Sequence, residues 1–213
     1  MDTVLPIVLL VVLGGLGALV ARSLRRRKDF LKTVTLDDSA LPDLTTEQRL
    51  TLTLRRLWRD PQQDLPLVEA GIEGGRLIFC PTDHDKNAER YKTNTGKSAE
   101  VALFALATLA LGGVEAMKGQ IIDADKKSLP PEMVALLHQG QLDNDYVVIC
   151  RILSVREATW GELSLVVYQA QVGESSEGPP MVLDLAVPND STQPFLAVGS
   201  LAHGSARLFG YLA

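Results

Sequence analysis

Nineteen consecutive residues without a charge, Thr3 to Ala21, constrain this chain more than any other feature of its sequence. As a helix at about 1.5 Å of rise per residue they reach about 28 Å, close to the hydrocarbon thickness of a bilayer. Only Asp2 precedes the run with a charge, and Arg22, Arg25, Arg26, Arg27 and Lys28 follow at once. A cleaved signal peptide carries its positive charge before the apolar stretch. The order found here therefore predicts an uncleaved signal-anchor, residues 1–21, a single transmembrane helix. Basic clusters stay on the cytoplasmic side, which places the N-terminus outside and the remaining domain in the cytoplasm. Gly14, Ala18 and Ala21 put small residues at spacings of four and three, a seam for self-association into a homo-oligomer.

Charge divides the chain behind this anchor. Residues 1–59 hold ten basic and six acidic residues, a balance of +4, whereas residues 60–213 hold eleven and twenty, a balance of −9. Anionic lipid attracts the first part, while an acidic domain is repelled by lipid and by phosphate backbones alike, so nucleic acid is excluded as a partner. Two cysteines in 213 residues exclude a disulfide framework.

Residues 22–44 form a basic juxtamembrane linker whose later part, with Asp37, Asp38 and Pro42, lacks periodicity. Residues 45–213 then make one soluble α+β domain. The stretch 45–59 predicts an amphipathic basic helix, capped by Thr45 and stopped at Asp60-Pro61. Leu50, Leu54, Leu57 and Trp58 share one arc of it and the arginines another, so Trp58 sits either at the membrane interface or on the domain. Leu67–Ile72 and Arg76–Cys80 flank Glu73-Gly74-Gly75, the pattern of a β-hairpin. Residues 82–97 read as an exposed loop. From 98 to 118 the chain predicts a central apolar helix, buried or re-entrant, because residues 101–114 carry no charge and are apolar on every side. A second crossing by this segment is the alternative. Glu132–His138 reads as a brief helix closed by Gly140. Residues 146–212 are β in character and predict an antiparallel sheet or small barrel, with Asp184 turned to a wet face.

Three patterns bear on chemistry. Thr93-Asn94-Thr95-Gly96-Lys97-Ser98 resembles the end of a P-loop. The resemblance implies phosphate held by backbone N–H groups, with Gly96, Lys97 and Ser98 as nucleotide-binding residues. Tyr91 stands where the motif's first glycine belongs, and no Walker B partner follows. Cys80, Asp83, His84 and Asp85 gather metal-capable atoms within six residues. Asp123/Asp125 and Asp143/Asp145 are paired carboxylates in polar stretches and read as turn formers. No nucleophile elbow, zinc-protease helix, paired-cysteine motif or dinucleotide fingerprint occurs.

These features together predict no cofactor. They predict a non-catalytic, membrane-anchored accessory or scaffolding protein that presents its acidic domain to a protein partner. Alternatives are a membrane-bound enzyme using nucleotide or metal, and a small β-barrel module for ligand or lipid.

Overall fold

A computed structural model of the chain describes residues 44–213 apart from 62–63, 73–74, 118–131, 139–142, 175–178 and 190–194. The expected anchor, its seam at Gly14, Ala18 and Ala21, the basic collar Arg22, Arg25, Arg26, Arg27 and Lys28, and Asp123/Asp125 lie outside the described residues.

The described chain is built from strands, which corrects the α+β expectation. In order it forms β1 (Arg49–Arg59), β2 (Pro66–Ile72), β3 (Gly75–Pro81), α1 (His84–Asn94), β4 (Ser98–Leu111), β5 (Ala135–His138), β6 (Asp145–Trp160), β7 (Leu163–Gly173), β8 (Met181–Pro188) and β9 (Leu201–Leu212). A 3-10 turn, Val114–Met117, follows β4.

Pairing joins the strands in the order β1-β2-β3-β9-β4-β8-β7-β6-β5, and further pairings β1–β4 and β6–β9 close the sheet on itself. The result is two five-strand cycles, β1-β2-β3-β9-β4 and β4-β8-β7-β6-β9, with β4 and β9 common to both. These two strands run antiparallel from Val101↔Leu212 to Leu111↔Ala202. The outer edge of β4 serves β1 through residues 98–102 and then β8 through Phe104–Leu106. The outer edge of β9 serves β6 through Leu201–Arg207 and then β3 through Phe209 and Gly210. Within residues 146–212 the pairings β6–β7, β7–β8 and β6–β9 are antiparallel, whereas the β4–β8 and β3–β9 joints are parallel, so the sheet as a whole is mixed.

Two glycines let β9 take part in both cycles. A Cβ at Gly204 would stand 1.8 Å from the Thr108 carbonyl oxygen. One at Gly210 would stand 2.7 Å from Leu103 and 2.9 Å from the Ala102 carbonyl oxygen. Only a residue without a side chain admits so close an approach, and strongly coiled strands use glycine for this purpose.

The segment 98–118 is not a helix. Its residues Ser98–Leu111 are β4, and their uniformly apolar character reflects burial on both faces. Val101, Leu103, Ala105, Ala107 and Leu109 face the main core, while Phe104 and Leu106 face a second core on the opposite side. A strand covered on both faces has no wet side to mark with polar residues. Leu and Ala are strong helix formers, yet pairing along both edges overrides that preference.

The segment 45–59 is likewise a strand from Arg49 onward. Leu50, Leu52 and Leu54 alternate with exposed Arg49, Thr51, Thr53 and Arg55. A bulge between Leu54 and Arg56 then shifts the register, so that Leu57 rejoins the main core and Trp58 packs on the second. The spacing of four and then three through Leu50, Leu54 and Leu57 thus comes from a strand with one extra residue, which imitates a helical stripe. Two further corrections follow: residues 84–94 of the expected loop are α1, and Ala135–His138 of the expected brief helix is the strand β5.

No helix among the described residues is long and apolar enough to cross a membrane. This corrects the expectation of a single-pass, signal-anchored membrane protein as far as the description reaches. Residues 101–114, the second-crossing candidate, are largely β4.

Candidate functional site

The two cycles leave an apolar cleft of about 460 Å³ between them. Leu50, Ile72 and Leu77 line it from the first cycle, and Leu136, Val172 and Met181 from the β5 side of the second. Leu77 and Val172 belong to the buried main core and form the floor. Leu50, Ile72, Leu136 and Met181 are only half-buried, so the cleft is a place where the core reaches the surface. Arg76 and Glu174 stand on its walls as opposite charges.

One wall has a backbone feature of its own. β5 pairs with β6 from Ala135↔Ile149 to His138↔Tyr146, and no strand among the described residues pairs with its other edge. His138 is held at the end of this strand by its Nε2 contact to the Asp143 carbonyl, 2.8 Å, and by an edge-on ring contact to Tyr146. An edge strand beside apolar surface offers two complementary things to an extended segment: backbone hydrogen bonds and room for alternate side chains.

The residues singled out in the sequence gather elsewhere and not into one site. Gly96 and Lys97 form a turn that leads out of α1 into β4, with Gly96 at φ +80°. The Gly96 N–H donates to the Leu54 carbonyl at 2.7 Å, and the Leu54 N–H donates to the Lys97 carbonyl at 3.0 Å. Ser98 opens β4 opposite Thr53. A P-loop needs a strand, a loop and then a helix whose N-terminus meets the phosphate; here the order is helix, turn, strand.

Cys80 is fully buried in β3 against the second core. Asp83 is occupied by the fold, its carboxylate accepting from the Tyr91 hydroxyl at 2.6 Å, the Asn87 amide at 2.8 Å and the Leu212 N–H at 3.2 Å. His84 Nδ1 lies 3.7 Å from the exposed carboxylate of Asp85. Among the described residues no three His, Cys, Asp or Glu side chains are grouped to hold a metal. Trp58, for which the sequence left a membrane interface or the domain, packs on the second core with the Arg56 guanidinium 5.1 Å from its ring centre.

The cleft residues come from β1, β2, β3, β5, β7 and β8, of which β1 and β5 lie in stretches that the sequence pattern assigned to helices. Their convergence had no local signal, because it depends on pairings between strands more than a hundred residues apart. Comparison with protein families, with curated proteins and with solved structures finds no match for this chain.

Proposed function

We propose that this chain is a non-catalytic accessory module that captures an extended, apolar segment of a protein partner in the cleft between its two cycles. The observation that carries the reading is the edge strand β5 forming a wall of that cleft. Strand addition supplies affinity through main-chain hydrogen bonds, and pockets for alternate side chains supply selectivity. Opposite charges at Arg76 and Glu174 would fix the direction of the bound segment. The placement of the module at the cytoplasmic face of a membrane rests on the sequence of residues 3–28 alone.

The test is selection from a library of extended peptides on the purified chain, followed by affinity measurements with single variants. Alternating apolar peptides are expected to be selected, and Leu136→Asp or Ile72→Asp to weaken them by about tenfold or more, about 1.4 kcal/mol. Circular dichroism serves to check that each variant keeps its fold. Failure to select any peptide, or affinities unmoved by both variants, overturns the reading. The cleft volume also suits a small apolar ligand. Fatty acid retained by the wild-type chain in native mass spectra and lost in Leu136→Asp would favour that second reading.

A further inference from the structure

A second recess, of about 590 Å³, lies on the opposite face of the sheet from the main core and is polar. Its floor is a row of residues in register across three strands: Ser154 on β6 opposes Gln169 on β7, and Gln169 opposes Asp184 on β8. Alternation places Gln169 on the face of Leu165 and Val167, and Asp184 on the face of Ala186, all members of the second core. The row is therefore a polar interruption of an apolar face. Asp184, which the sequence pattern puts on a wet face, is only 5% exposed.

Arg156 reaches over this floor. Its Nη2 donates to Asp184 Oδ2 at 2.9 Å and to the Thr45 carbonyl at 3.1 Å. The stretch 45–49 makes the facing wall and is pinned by Tyr211, whose hydroxyl accepts from the Thr46 N–H at 3.2 Å. The Arg49 guanidinium lies 5.6 Å from the Tyr211 ring centre.

We propose that this recess binds a neutral, hydroxyl-rich ligand of the saccharide class. Arg156 is exposed and reaches from solvent to the nearly buried Asp184 and to the Thr45 carbonyl, so charged groups of both signs are fixed at the mouth of the recess. Two guanidiniums, Arg49 and Arg156, stand against two carboxylates, Glu47 and Asp184, so the lining has no net charge. A free anion would meet the carboxylates and a free cation the guanidiniums. Hydroxyl groups donate and accept at once, which is what a lining of interleaved fixed donors and acceptors satisfies. The volume is that of a small-molecule site.

The proposal is tested on the full chain by titration with glucose, N-acetylglucosamine and maltotriose, with inorganic phosphate and citrate as the charged arm. Binding is followed by calorimetry and amide chemical shifts. At least one saccharide is expected to saturate, with shifts centred on residues 45–49, 154, 169 and 184. Gln169→Ala should weaken it about tenfold and Arg156→Leu abolish it, since a site built for hydroxyls suffers when its partners are removed. Leu136→Asp, in the separate apolar cleft, should leave it unchanged. Saturation by phosphate or citrate alone, saturation by none of the probes, or saccharide binding that ignores Gln169→Ala and Arg156→Leu each overturns the proposal.

Discussion

Single atoms decide whether this sheet can close. At Gly204 the space for a Cβ is already filled by the Thr108 carbonyl oxygen 1.8 Å away, and that neighbour is backbone, which cannot swing aside. Gly204→Ala is expected to cost about 3 kcal/mol, at the upper end for overpacking, read as a lowered urea midpoint. Three buried acids impose a limit of a different kind. Burial pushes the Cys150 thiol from 9.0 up to about 12 and the Tyr146 hydroxyl from 10.0 up to about 12. Burial together with the bond to Asp83 raises Tyr91 as well. In the unfolded chain these groups ionise at their ordinary values, while in the fold they stay neutral to higher pH. Their contribution is therefore complete below about pH 9 and is lost as pH rises toward 12. A pH series of urea midpoints should fall over that window, and Cys150→Val should delay the onset. A flat series would refute the assignment.

At the level of elements, α1 shows how a polar segment earns its place. It buries Tyr91 and ties that hydroxyl to Asp83, which also accepts the Leu212 N–H at the end of β9. Asp83→Ala is expected to cost about 1–3 kcal/mol, because it strands a buried hydroxyl and a strand N–H. Calorimetry gives the loss, and faster amide exchange at Leu212 would show where it falls. The same helix shows what the sequence could not reveal. With one buried residue it has no apolar stripe, so residues 82–97 look like a loop. β1 erred in the other direction, its bulge turning a two-residue alternation into an apparent helical arc. β4 is rich in Leu and Ala, and only its partners on both edges make it a strand. By contrast, β2, β3, β7 and β8 were legible, because their β-rich runs end at glycine and proline punctuation. The apolar cleft was legible only in part: Ile72, Leu77, Val172 and Met181 fall in runs read as strands, Leu50 and Leu136 in stretches read as helices, and periodicity carries no information about which strands meet.

For the whole molecule, sharing β4 and β9 joins the two cycles into one cooperative unit. Removing either strand opens both, so unfolding should be a single transition by fluorescence and by circular dichroism, with the same midpoint for each. Separate midpoints for Trp58, on β1 of the first cycle, and Trp160, on β6 of the second, would contradict that coupling. A sheet that depends on β9 also has a consequence during biosynthesis. The ribosome delivers the other strands of the described residues before the one that seals either cycle, and until it emerges the nascent polypeptide carries open edges and bare apolar faces. Such a chain is exposed to misassociation for most of its translation. Its cellular yield should therefore respond to chaperone supply and to the speed of elongation more sharply than the finished protein's resistance to heat would suggest.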